Sequence, residues 1–170
     1  MGHFDETICD CCICPMQCVM KQLVDRGPII ISTPVSQELN LITSVENFIA
    51  ETLDGEIPAF FAVCNVTAVG SSAIDSNTDL KPVRKDVKGE CNCCEDPATN
   101  QLVSLGIGTE VEVEFITQTN GDEFQIPLTG NILSIGEGIV ILDNVIDSEG
   151  DPIPNLAIST CKITRIQELI

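Results

Sequence analysis

The segment CDCCICP at Cys9–Pro15 returns as CNCCEDP at Cys91–Pro97, with three cysteines and the proline in the same places. This duplication constrains the fold more than any other feature, because a chain of two similar units must build one supersecondary unit twice. The match continues beyond the cysteines. QLVDRG at Gln22 answers QLVSLG at Gln101, NLITSVENFIA from Asn40 corresponds to NILSIGEGIVI from Asn131, and CNVTAV at Cys64 echoes CKITRI at Cys161. The second copy is longer, chiefly around TQTNGDEFQIPLTG and NVIDSEGDPIP, turn-rich stretches where insertions are well tolerated. The division expected is a Cys-rich arm over 1–19, a first β-unit over 20–70, a linker with the second Cys cluster over 71–100, and a second β-unit over 101–170.

The repeated unit reads as β. TEVEVEF sets Val111, Val113 and Phe115 against Glu110, Glu112 and Glu114, the alternation of a half-buried strand with an acidic outer face. FQIPL, GNILSI, GIVILD and NLAISTCKITRI follow as short apolar runs punctuated by glycine or proline. MQCVMKQLV and ATNQLVSL each suit a short helix capping the sheet. A 44% apolar content supports a packed core rather than disorder. A unit of about 70 residues buries only about 60% of its unfolded surface, so pairing of the copies or disulfides must help it.

The formal charge of −18, from 26 acidic and 8 basic residues, argues against nucleic acid, since phosphate binding needs a basic face. It holds an apolar β-protein apart before assembly. No run of about 18 apolar residues offers a membrane span, and the first residues carry acids rather than an apolar signal core. The expectation is synthesis in a cytosol.

Three chemistries compete for Cys9, Cys11, Cys12, Cys14, Cys18, Cys91, Cys93 and Cys94. Cys9/Cys12, Cys11/Cys14 and Cys91/Cys94 are C-x-x-C pairs, and Cys9, Cys12, Cys91 and Cys94 together offer the four thiolates of a structural zinc site. A redox dithiol is the second reading, but no strand precedes Cys9 and Asp10 would raise a neighbouring thiol's pKa. Covalent crosslinking is the third: adjacent cysteines such as Cys11-Cys12 and Cys93-Cys94 pair poorly with each other and reach toward separate partners. Cys64 and Cys161 sit at matching places in the last strands, either as small buried hydrophobes or as acceptors of a disulfide.

The rest carries less chemistry. His3 is the only histidine and has no positioned partner. Asp143, Asp147, Glu149 and Asp151 offer calcium oxygens but miss the EF-hand spacing, which favours a solvated loop. No lysine or helix start follows the glycines of GIGTEVEVE, so it is not a phosphate loop. Ser and Thr lack a histidine to activate them, and no enzyme activity is expected.

The order of a short helix and about five strands resembles the Sm-like small barrel. The residues carrying this are Leu102, Gly106 or Gly108, Val111, Val113, Phe115, Gly130, Ile132, Ile135, Ile139, Ile141, Ile153, Pro154 and Ile158. The first copy is sparser, with Leu23, Gly27, Ile29–Ile31, Phe48, Ile49 and IPAFFAV. That resemblance implies an all-β fold of two tandem small barrels or sandwiches. It would also imply RNA binding, which acidic loops without stacking aromatics do not support.

With its duplicated cysteine clusters, acidic charge and β-rich core, the chain also resembles the cysteine-rich structural proteins of bacterial spore surfaces, namely coat, exosporium and appendage subunits. The resemblance implies a homopolymer, together with other spore-surface proteins, locked by disulfides. It makes Cys9, Cys11, Cys12 and Cys14 the arm cysteines. No cofactor is expected on this reading, and zinc is expected on the metal reading.

Overall fold

The structure is a computed structural model that describes residues 10–83, 96–118 and 121–169, the side chains of 10–14 and 96 excepted. Helix α1 (Asp10–Gln22) leads into β1 (Pro28–Ser32), β2 (Gln37–Glu46), β3 (Ile49–Asp54) and β4 (Ile57–Ala62), then a 3-10 turn at Val63–Asn65 and β5 (Ala68–Gly70). Helix α2 (Asp96–Leu105) opens the second half, followed by β6 (Glu110–Phe115), β7 (Leu128–Gly136), β8 (Ile139–Ile146), β9 (Leu156–Ser159), a 3-10 turn at Thr160–Lys162 and β10 (Ile163–Glu168). The all-β class expected from sequence is what forms, with short helices at the head of each half.

All the strands belong to one antiparallel sheet of order β10-β6-β7-β8-β9-β5-β1-β2-β3-β4. Each half has its fifth strand beside its first, and the halves join where β5 pairs with β9. The repeat extends to its irregularities. The β2–β3 ladder slips between Ile42 and Ser44, and the β7–β8 ladder slips between Ile132 and Ser134. These registers place Ile42 opposite Thr52 and Ile132 opposite Leu142, so Ile42 corresponds to Ile132. This corrects the sequence match of Asn40 to Asn131 by one residue, a slip that reverses every side chain on a strand.

The apolar runs form strands buried on both faces. Ile31, Val69, Ala157 and Ile141 form one cross-strand row over β1, β5, β9 and β8 and lie in a cluster with Met16, Val19, Met20 and Leu23 of α1. Their neighbours Ile30, Leu156 and Leu142 lie in a second cluster with Leu102 of α2, Val111, Val113 and Phe115. Successive strand residues point to opposite faces, so the four central strands serve both cores at once. The expectation of two self-contained units therefore gives way to halves that share their middle strands.

Two boundaries move. Cys11, Cys12 and Cys14 join Cys18 in helix α1, which starts at Asp10, ahead of the stretch expected to be helical, and whose apolar stripe Met16, Val19, Met20 and Leu23 follows helical spacing. The segment after Gly70, expected as a linker, packs as far as it is described. Ile74 is fully buried, and Gln22 brackets Asp79 by donating from Nε2 to its carbonyl (2.9 Å) and accepting its N–H on Oε1 (2.8 Å). Leu80 and Lys81 cross over Gly136, where any Cβ would collide with them.

Candidate assembly and crosslinking site

The joint between the halves is the best-built polar site in the described residues. The Ser32 and Thr67 hydroxyls lie 3.1 Å apart, and Ser32 reaches Thr117 at 2.7 Å. Gln37 donates from Nε2 to Thr117 Oγ1 (3.1 Å) and accepts the Phe124 N–H on Oε1 (3.0 Å). All four polar side chains are buried, which makes their mutual satisfaction obligatory. Thr117 and Phe124 come from the long β6–β7 connection, so this insertion is a clasp over the first half. Its Phe124 ring packs 6.0 Å from Phe115.

At its two ends the sheet stops at β4 and β10, which have no further partner among the described residues. Beside β4, a groove of about 400 Å³ is lined by the Thr33–Ser36 turn and by Phe60, Phe61, Ala62 and Asn65. Phe60 is 66% exposed, and Ile57 and Val35 stand out with it. On β10, Arg165 bridges to Glu112 (2.6 Å) and Glu114 (2.8 Å) of β6, which hold its guanidinium pKa above the ordinary value.

The cysteines are placed unequally. Cys9, Cys91, Cys93 and Cys94 lie outside the described residues, as do the side chains of Cys11, Cys12 and Cys14. Cys18 is half-buried and free, and Cys64 is exposed and free in the first 3-10 turn. Cys161, in the second 3-10 turn, is disulfide-bonded. The zinc quartet expected from Cys9, Cys12, Cys91 and Cys94 falls outside the described side chains. Within them, no group of three or more His, Cys, Asp or Glu is arranged to hold a metal. No helix among the described residues is long and apolar enough to cross a membrane.

Asp147, offered by the sequence as a calcium ligand, organises its own loop. Its Oδ1 accepts the N–H groups of Glu149 and Asp151 (2.9 Å each) and its Oδ2 accepts that of Gln125 (3.1 Å). Burial pushes this carboxyl up, but backbone donors from Asp151, Gln125, Glu149 and Gly150 outweigh it and hold it below the ordinary aspartate value. A depressed native pKa contributes stability above the unfolded value that fades as pH falls through the native one. Asp147→Ala is therefore expected to cost about 1–3 kcal/mol at neutral pH. The gap to the parent in denaturant titrations should close as pH falls well below 3.8.

Comparison with protein-family models, curated proteins and solved structures finds no match.

Proposed function

We propose that this chain is a structural, self-assembling subunit of a disulfide-crosslinked fibre or lattice on a spore or cell surface, each half being an Sm-like small barrel. One observation carries the reading: the sheet ends on β4 and β10, which have no further partner among the described residues and are the fourth strand of one half and the fifth of the other. Natural proteins usually blunt or cover open edges because they template pairing with other chains. Here one edge is flanked by exposed Phe60 and Ile57. Spore-surface placement rests on the duplicated cysteine clusters.

Crosslinking draws support from Cys64, an exposed free thiol at the turn that matches the one holding Cys161. The cluster Cys91–Cys94 is the natural donor to Cys161. Thr99 of α2 donates its hydroxyl to Thr160 Oγ1 (3.2 Å), and the five residues from Cys94 to Thr99 reach at most about 18 Å. Peptide mapping without reductant should link Cys161 to this cluster.

The decisive experiment uses the full chain purified with and without reductant, run on a denaturing gel, imaged by electron microscopy and analysed for metal. Multi-subunit assemblies and a reductant-sensitive ladder are expected. A monomer carrying stoichiometric zinc overturns the proposal.

A further inference from the structure

We infer that the first half carries a reversible disulfide clip, Cys12 to Cys64, which fastens helix α1 to the end of β4 and opens and closes with the redox state of the surroundings. The ligand of the Cys64 thiol is a cysteine of its own chain. This inference goes beyond the assembly reading and does not rest on it.

The internal repeat supplies the first observation. Cys64 and Cys161 are the middle residues of the two 3-10 turns, Val63–Asn65 and Thr160–Lys162. Ala62 (φ −70°, ψ 115°) enters the first turn as Ser159 (φ −66°, ψ 120°) enters the second, and Val66 (φ −75°, ψ 120°) leaves it as Ile163 (φ −71°, ψ 130°) does. Each turn is closed by the same bond, from the N–H of the exit residue to the carbonyl of the first, Val63 or Thr160. The two cysteines therefore hold the same backbone setting, yet Cys161 is disulfide-bonded and Cys64 is free and exposed. A disulfide at one copy of the turn marks the position itself as one that takes a second thiol.

Helix α1 brings a cysteine to this turn. It packs against Val63–Asn65, and Met16 shares a buried cluster with Val63. Phe48 ties the two together, its N–H donating to Gln17 Oε1 (2.8 Å) and its carbonyl accepting the Val63 N–H (2.9 Å). Met16, Val19, Met20 and Leu23 form the buried stripe of the helix. Continued one turn toward the N-terminus, four residues before Met16 and seven before Val19, that stripe reaches Cys12. Cys11 and Cys14 lie about 100° and about 160° round the helix from it.

The second half repeats the arrangement. In the register that sets CDCCICP over CNCCEDP, Cys12 matches Cys94 and Gln17 matches Thr99. Thr99 donates its hydroxyl to Thr160 Oγ1 (3.2 Å), next to Cys161. In both halves, then, a polar side chain five residues after the matching cysteine ties the helix to its own 3-10 turn.

Closing the clip removes two electrons and two protons from the two thiols, and a low-molecular-weight disulfide, RSSR, takes them up. The exposed Cys64, as thiolate, attacks one sulfur of RSSR, forming Cys64–S–SR and releasing RS⁻. The Cys12 thiolate then attacks the Cys64 sulfur, forming the protein disulfide and expelling the second RS⁻. RSSR ends as two RSH, and excess RSH reverses both steps. The loop so closed holds most of α1 and all of β1–β4, so the bond removes much of the freedom of the unfolded first half. A closed clip withdraws Cys64 from any bond to another molecule, and an open one offers it.

The test takes the full chain, purified reduced, as an equal mixture of isotopically heavy and light protein, and equilibrates it with glutathione buffers from reduced to oxidised. Peptide mapping without reductant is expected to join Cys64 to Cys12 within one label. The melting temperature of the parent should rise over the series by at least about 4 °C more than that of Cys64→Ser. Serine at this exposed position leaves the reduced protein's melting temperature unchanged, so the increment reads the bond alone. Cys12→Ser should lose the same increment and the double variant no more than either, whereas Cys11→Ser keeps it. An increment that survives in Cys12→Ser, or Cys64 still free in the most oxidised buffer, overturns the clip. So does Cys64 joined mainly to another cysteine of its chain or to a differently labelled copy, and the last result leaves the assembly reading standing.

Discussion

Ile141→Ala is expected to destabilise the chain by about 2–5 kcal/mol, whereas Glu51→Ala, at the matching register position of the first half, should change stability by about 0.5 kcal/mol or less. Ile141 pairs across from Ser134 just beyond the β7 bulge, as Glu51 pairs across from Ser44. Their difference is therefore in what covers them. Ile141 is fully buried in the cluster of α1, β1 and β2, so a second-half residue completes the first half's core. Glu51 is only partly covered, and its carboxylate accepts from the Ser44 hydroxyl at 3.2 Å. Because the central strands serve both clusters, Ile141→Ala should also accelerate amide exchange at Ile31 and Ile42 of the first half together with Leu142. Two separate unfolding transitions, with only the second half weakened, would refute a shared core.

That sharing also decides what the sequence could show. The EVEVEF alternation announced β6 and its acidic face, because β6 has one face toward the core and the other toward solvent. IIIS, IVIL and LAIS announced burial but not its partner, since a strand buried on both faces has no alternation to assign. The match of Asn40 to Asn131 was a chance identity at a place where bulged ladders, slipping at Thr43 and Leu133, carry the true correspondence. The stripe Met16, Val19, Met20 and Leu23 marks the helix expected over MQCVMKQLV, but the earlier start of α1 at Asp10 is hidden by cysteines and Pro15, poor helix formers. The two end strands of the sheet are the least legible. Pro58 is the one local mark of an edge in IPAFFA that LAIS lacks, since it cannot donate to a ladder; which strand arrives beside either is not written locally. Even so, the cysteine pair most separated in sequence from the clusters, Cys64 and Cys161, stands out by repetition alone, and the structure places them in matching 3-10 turns of the two halves.

Gly121→Ala is expected to cost about 1–3 kcal/mol by overpacking, and most of that cost should vanish in a Gln37→Ala background. A Cβ built on Gly121 would overlap the side-chain amide of Gln37. Ordinarily such an amide swings aside, but this one is held by Thr117 at one end and by the Phe124 N–H at the other. Moving it leaves the buried Phe124 N–H without its partner and takes one of two partners from the Thr117 hydroxyl, a penalty of about 1–3 kcal/mol. Gln37→Ala incurs that penalty alone and opens the space that the added methyl group needs, so the two changes should be less than additive by about 1 kcal/mol or more in a double-mutant cycle. Strict additivity would mean that Gln37 is free to move and the clasp is not what fixes the joint. The same cycle separates the inner joint from the edges: Gln37 on β2 and Gly121 in the β6–β7 connection belong to the clasp, whereas β4 and β10 lie at the ends of the sheet. A weakened clasp should therefore lower the stability of the single chain while leaving unchanged the β4 edge through which copies are proposed to meet.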